Sequence, residues 1–181
     1  MLFRSVIASC QSNVERDVGG LACPTGAHLV PRAPKATETA KCLDAQGRLE
    51  GPAVEYCDNG QLRFSCTYHA GEPEGLCSSW HCDGSKASEE EYSAGQWNGR
   101  RTVWDSGRKL KDEHYRNGVL EGMRRQWDAA GRLVSEEHYE NGKLDGEQRA
   151  WNAARGRWET SLYRDGAFVD VIRSSDAPPR P

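Results

Sequence analysis

Residues 122–146 read GMRRQWDAAGRLVSEEHYENGKLDG. Five residues after Gly122 stands Trp127; Gly131, Tyr139 and Gly142 follow, and Gly146 restarts the series. The series extends in both directions. Gly51, Gly75, Gly99, Gly122 and Gly146 are 24, 24, 23 and 24 residues apart. Five residues after each stands an aromatic ring, at Tyr56, Trp80, Trp104, Trp127 and Trp151. A second glycine column (Gly60, Gly84, Gly107, Gly131, Gly156) precedes a tyrosine column (Tyr68, Tyr92, Tyr115, Tyr139, Tyr163). Three residues beyond each tyrosine lies Gly71, Gly95, Gly118, Gly142 or Gly166. Self-similarity at a fixed period of 20–50 residues is the mark of a repeat architecture. Gly47 adds a leading half unit, four residues before Gly51.

Each unit reads as a β-hairpin. The first strand ends at Asp58-Asn59-Gly60-Gln61, Cys82-Asp83-Gly84-Ser85, Asp105-Ser106-Gly107-Arg108 or Ala129-Ala130-Gly131-Arg132. Asn-Gly and Asp-Gly tolerate positive φ at both central positions, which predicts type I′ turns there. The second strand is charge-rich, as in Ser135-Glu136-Glu137-His138-Tyr139, so one of its faces is wet. Asn117-Gly118 and Asn141-Gly142 then open the turn into the next unit. Glycine returns too often for helices of ten residues. The expected fold is all-β: an elongated repeat array of β-hairpins, five units of 23–24 residues, each touching mainly its neighbours. A lone hairpin is marginal, so stacked units must bury the rings. A buried Trp or Tyr removes roughly 150–250 Å² from water.

Composition agrees with a thin aromatic core. Leu, Ile, Val and Phe number 27 of 181 residues. That share, about 15%, excludes a large aliphatic core, and with it doubly wound α/β enzymes. Six Trp, six Tyr and a net charge of only −3 argue against disorder. No apolar run approaches the ~18 residues of a membrane-spanning helix. Residues 51–98 carry two basic and eight acidic side chains, net −6; residues 99–181 carry sixteen and fourteen. Without a basic stripe to neutralise phosphates, nucleic acid is not an expected partner.

The pattern Gly-x4-Trp-x2-3-Gly-x-Leu-x2-Glu-x2-Tyr-x2-Gly-x3-Gly resembles the MORN-repeat variant family. Its best match is Gly122, Trp127, Gly131, Leu133, Glu136, Tyr139, Gly142 and Gly146. The resemblance covers residues 42–170 and departs from the pattern at Tyr56, Phe64 and Cys66 and in the spacing of the fifth unit. It implies a non-enzymatic interaction or scaffold module. Bacterial members are often labelled antitoxins of the YwqK type, and some eukaryotic relatives are described as binding lipid or envelope surfaces.

All seven cysteines lie in the first 82 residues. Ile7-Ala8-Ser9-Cys10 resembles a bacterial lipoprotein cleavage site, with Cys10 as the lipidated residue, although the apolar stretch before it is short. Six cysteines then remain, an even number suited to three disulfides in an oxidising compartment. Cys66 and Cys77 flank one turn symmetrically and can face each other across adjacent strands. Cys42 occupies the column of Cys66, which leaves Cys23 as its partner. Cys57 and Cys82 end the first strands of successive units. The rival readings are buried free thiols and a zinc site of Cys77, His81 and Cys82 with Cys57 or Cys66.

No nucleophile elbow, phosphate-binding glycine loop or His-Glu-x2-His occurs, so no enzyme activity, cofactor or metal is expected. His114 and His138 precede the column tyrosines and read as repeat residues. The run Glu89-Glu90-Glu91 reads as a solvated strand or as a contact for a basic protein partner. Trp97 and Trp158, each two residues after a unit glycine, read either as exposed contact anchors or as caps on the sheet. The chain divides into an irregular segment (1–41), the repeat domain (42–170) and a disordered tail (171–181). The expected molecule is a monomeric protein-binding scaffold at the cell envelope, touching the membrane only through a lipid anchor. The alternatives are a cytoplasmic antitoxin and a binder of lipid or envelope surfaces.

Overall fold

Among the described residues the turn chemistry and the alternation of side chains produce antiparallel strands as the only regular elements. The structure, a computed structural model, describes residues 21–30 and 39–175. Its strands are β1 (His28–Val30), β2 (Ala40–Leu43), β3 (Leu49–Tyr56), β4 (Leu62–His69), β5 (Glu72–Trp80), β6 (Lys86–Ser93) and β7 (Gln96–Asp105). They continue as β8 (Arg108–Arg116), β9 (Val119–Leu120), β10 (Gly122–Trp127), β11 (Leu133–Glu140), β12 (Lys143–Asn152), β13 (Arg157–Arg164) and β14 (Ala167–Ser175). Order in the single sheet is order in the chain; β9 pairs β8 alone, and β10 takes the next place beside β8. Thirteen strands side by side at about 4.8 Å make an open sheet about 60 Å across. Cys10 lies outside the described residues.

Two kinds of turn alternate, and their assignment reverses the expectation. Type I′ turns, with both central residues at positive φ, fall between units: Ala70-Gly71, Ala94-Gly95, Asn117-Gly118, Asn141-Gly142 and Asp165-Gly166. The first turns are one residue longer. At Cys57–Gln61 the Gly60 N–H reaches the Cys57 carbonyl at 2.8 Å, and only Gly60 takes positive φ. Loop length decides this, since a three-residue loop takes a type I turn closed by a left-handed glycine. Ser106-Gly107 is the exception within a unit, a two-residue loop with both φ positive. Its missing residue is the reason for the single 23-residue spacing.

Directly opposed residues share a face, and register divides the sheet into two. On the tyrosine face Tyr68 opposes Pro73, Tyr92 opposes Trp97, Tyr115 opposes Leu120, Tyr139 opposes Leu144 and Tyr163 opposes Phe168. These pairs form one apolar row across the sheet. On the tryptophan face Trp80 opposes Lys86, Trp104 opposes Lys109, Trp127 opposes Leu133 and Trp151 opposes Trp158. The Lys86 ammonium sits 5.6 Å from the Trp104 ring centre, and Lys109 5.4 Å from Trp127. Three of the unit glycines, Gly99, Gly122 and Gly146, lie against side chains of the preceding strand: Glu91, His114 and His138. A Cβ on Gly99, at φ 129°, would run into the Glu91 carboxylate.

Because the sheet is one layer thick, the tryptophan column is only half-buried and is not the central core. The apolar core lies at the start of the sheet, where Leu29, Ala40, Cys42 and Val54 are buried and Leu21, Cys23, Ala27, Tyr56 and Leu62 pack against them. The segment before residue 42 is therefore not wholly irregular. It contributes β1 and a cover over β2 and β3. At the other end β14 carries the sheet through Ser175, past the expected boundary at 170.

Candidate functional site

Between the two flanking rows runs a middle row on each face. On the tyrosine face it passes Ala53, Cys66, Cys77, Glu90, Arg101, Glu113, Arg124, Glu137 and Gln148. Acid and base alternate along it. The Arg101 guanidinium donates to Glu90 at 3.1 Å and to Glu113 at 2.7 Å. Arg124 donates to Glu137 at 2.6 Å. The hydroxyls of Tyr92 and Tyr139 donate to Glu90 at 2.8 Å and to Glu137 at 3.1 Å. Aromatic faces cover the cations: Arg101 lies 4.8 Å from the Trp97 ring centre and Arg124 4.8 Å from that of Tyr139. Such satisfaction is what permits a carboxylate as buried as Glu137, 5% exposed. Burial pushes its carboxyl up, but the Ser135 hydroxyl, the Arg124 charge, the Gln148 amide and the Tyr139 hydroxyl together hold it below the ordinary value. Burial, helped by the neighbouring carboxylates Glu90 and Glu137, pushes the Tyr92 and Tyr139 hydroxyls up to about 12.

Three disulfides join Cys23 to Cys42, Cys57 to Cys82 and Cys66 to Cys77. The last occupies the middle row where later units hold a Glu–Arg pair. The cysteines of the alternative zinc set are all consumed by these bonds. Among the described residues no group of three His, Cys, Asp or Glu side chains converges on a metal position.

The tryptophan face holds a shallow cavity of about 160 Å³ lined by Leu76, Glu89, Glu91, Arg100, Thr102, Trp104 and Lys109. Leu76 is 54% exposed beside it. The two cations are already engaged. Arg100 donates twice to Asp112, at 2.7 and 2.5 Å, and Lys109 once at 3.3 Å. Glu89 pairs with Lys86, and Glu91 accepts the Arg100 backbone N–H at 3.0 Å. The cavity is thus an apolar spot, Leu76 and Trp104, bordered by carboxylates.

The acidic run divides between the faces. Glu89 and Glu91 line this cavity, whereas Glu90 belongs to the middle row opposite. The two off-column tryptophans are packing residues and not exposed anchors. Trp97 lies 4.9 Å from Tyr115 and 6.4 Å from Tyr92, ring centre to ring centre. Trp158 is 3% exposed, edge-on to Trp151 at 5.9 Å and beneath the Arg149 guanidinium at 4.5 Å.

A column that sequence reading missed locks unit to unit. The residue before each unit glycine sends a side-chain oxygen to the backbone N–H of the next inter-unit turn. The pairs are Glu50 to Ala70 at 2.7 Å, Glu74 to Ala94 at 2.7 Å, Asn98 to Asn117 at 3.2 Å, Glu121 to Asn141 at 2.9 Å and Asp145 to Asp165 at 3.0 Å. The signal was available as an oxygen-bearing residue recurring with the glycines. Comparison with protein-family models gives no match, and comparison with curated proteins gives none either.

Proposed function

We propose that this chain is a non-enzymatic protein-interaction module built from five MORN-like hairpin units, working in an oxidising, extracytoplasmic compartment. The observation that carries the reading is the cavity on the tryptophan face. Leu76 and Trp104 offer an apolar contact, Glu89 and Glu91 border it, and the neighbouring cations are neutralised by Asp112. That chemistry suits a partner segment with an apolar residue flanked by lysine or arginine. Net −6 over residues 51–98 adds long-range attraction, which raises encounter rate more than final affinity. The three disulfides support the compartment, because reducing cytosol does not sustain such bonds. They also weigh against the cytoplasmic antitoxin reading. Attachment through Cys10 remains part of the proposal.

The test is affinity capture from an envelope fraction, with wild type beside a Glu89→Lys/Glu91→Lys variant. A basic partner held by wild type, released by salt and lost from the variant supports the reading. Equal capture by both removes the cavity from it. Mass spectrometry of the mature protein without reductant tests the compartment, and free thiols at all six positions would move the protein to the cytosol.

A further inference from the structure

The later units cover their own rings with cations. Arg101 lies on the Trp97 ring and Arg124 on that of Tyr139, each paired with a carboxylate of the middle row. Unit one departs from this at three positions. Ala53 stands where Arg101 and Arg124 stand, two residues after the unit glycine, and Cys66 where Glu90, Glu113 and Glu137 stand, two before the tyrosine. Leu62 stands two residues after the turn glycine, where Lys86 and Lys109 reach to the next tryptophan. Among the described residues no cation lies over Tyr68 or Trp80.

Beside these rings is a cavity of about 470 Å³, lined by Glu55, Arg63, Phe64, Tyr68, Ser79 and Trp80. Glu55, Phe64 and Ser79 are opposed across β3, β4 and β5, and Tyr68 follows on the same side of β4. Arg63 is the extra residue where the register shifts between Glu55 and Tyr56. Both charges are peculiar to this unit. The position of Glu55 holds Ser79, Val103, Gln126 and Ala150 in later units, and that of Arg63 holds Ala87, Leu110 and Val134. Glu55 is half-buried and Arg63 exposed. Among the described residues the Glu55 carboxylate, the Arg63 guanidinium and the Tyr68 hydroxyl have no hydrogen-bond or ion-pair partner. The Glu55 charge is felt at Tyr68: burial first, and that carboxylate second, push its hydroxyl above the ordinary value.

We propose that this cavity binds a small zwitterion in which a quaternary ammonium is joined to an anionic group. The ammonium takes the place that Arg124 holds at Tyr139, against the rings of Phe64, Tyr68 and Trp80, with Glu55 as its counter-charge. The anionic group meets Arg63. Ring faces attract cations, and quaternary ammonium is the cation that aromatic-lined sites recognise. A primary ammonium would bring three N–H donors to a lining whose acceptors are Glu55 and two hydroxyls, and the Ser79 hydroxyl is already engaged with Ser88 at 2.8 Å. Donors buried without partners cost free energy, and a quaternary ammonium has none. A simple cation would leave Arg63 as a repelling neighbour, and a simple anion would meet Glu55 and the negative ring faces. The site shares no residue with the cavity of Leu76 and Trp104, so it is tested apart from the proposed protein partner.

The experiment is calorimetric titration of the full chain with glycine betaine and with two analogues. Choline keeps the ammonium and lacks the anionic group; 3,3-dimethylbutanoate keeps the carboxylate and replaces the charged nitrogen by carbon. Betaine is expected to bind with a Kd of about 1 mM or below, and each analogue at least about tenfold more weakly. Arg63→Gln brings betaine down to the level of choline and leaves choline unchanged. Glu55→Gln weakens betaine and choline and leaves 3,3-dimethylbutanoate unchanged. Circular dichroism checks that both variants fold; if Glu55→Gln does not, the analogues and Arg63→Gln decide alone. Phosphocholine carries the same two charges, and phosphatidylcholine vesicles present them at a surface. Binding of free phosphocholine supports the proposal, with flotation on the vesicles assigning a lipid headgroup and its failure a free solute. No binding of betaine or phosphocholine at about 10 mM overturns the proposal. Equal binding of betaine and 3,3-dimethylbutanoate, or wild-type affinity for betaine in both variants, overturns it as well.

Discussion

The Glu121 carboxylate accepts the backbone N–H of Asn141 at 2.9 Å, joining two residues 20 apart in sequence and one hairpin apart in the sheet. The adjacent Gly142 N–H goes to the Leu120 carbonyl, also at 2.9 Å. Both donors of the type I′ turn are thereby satisfied by the unit before it.

Glu121→Ala leaves the Asn141 N–H to solvent and removes an ion pair with Arg116. The expected cost is about 1 kcal/mol, the net worth of one partly exposed hydrogen bond. Glu121→Gln keeps an acceptor and stays close to wild type. Amide exchange at Asn141 separates them: it speeds up in the alanine variant and not in the glutamine variant.

The tryptophans rank by burial and not by column. Trp158→Ala, at a site only 3% exposed, is expected to cost roughly 3–5 kcal/mol, the range for large aromatic truncation in a packed site. Trp97→Ala and Trp127→Ala, both half-buried, the latter beneath the Lys109 ammonium, cost less, about 2 kcal/mol on transfer of their covered area. Urea midpoints of the three variants check the order. Trp127 as the most damaging of the three would return the core to the column.

Much of this was legible in the sequence, and the reasons for the rest are physical. The glycine and aromatic columns announced hairpins because backbone conformation and ring size leave few substitutes. The column of Pro73, Trp97, Leu120, Leu144 and Phe168 was hidden because filling space beside tyrosine tolerates any apolar shape. The column ending at Asp145 was hidden because the lock needs an oxygen and no particular residue. Turn type was misjudged from the pair Asn59-Gly60, where strand register, through loop length, outweighs local preference. Trp158 stayed open between anchor and cap because a pattern shows that a residue is off-column but not what folds over it.

Cys66 and Cys77 stand in the row positions that Glu90–Arg101 fill further along. The double variant Cys66→Glu/Cys77→Arg is therefore expected to fold, with the ion pair continuing the ladder past Glu90. It loses the unfolded-state constraint of a short loop, toward the lower part of the usual 2–4 kcal/mol. Cys66→Ala/Cys77→Ala loses the constraint and gains no pair, so it melts lower. A charge variant less stable than the alanine variant would show that the row does not accept ions there.

Stability should fall at both extremes of pH. The Glu137 carboxyl lies below its ordinary 4.5 in the folded chain. Its contribution is complete above the unfolded value and is lost as pH falls through the lowered one. Tyr92 and Tyr139 are raised from 10 to about 12, so their contribution is complete below pH 10 and is lost as pH rises toward 12. Urea midpoints against pH follow the acid limb, and Glu137→Gln flattens it. Absorbance of tyrosinate follows the alkaline limb, with two of the six tyrosines ionising last.

Strand order that equals chain order makes this molecule a ruler with interchangeable divisions. Excising residues 99–121 joins Asn98 to Gly122 in phase, and the columns on either side meet as before. Each such excision or duplication shortens or lengthens the sheet by two strand spacings, about 10 Å, while the stapled first end stays untouched. Distance between whatever binds the tryptophan face near Leu76 and the last strand, β14, is thus adjustable in whole steps, by gene duplication alone, without redesigning either end.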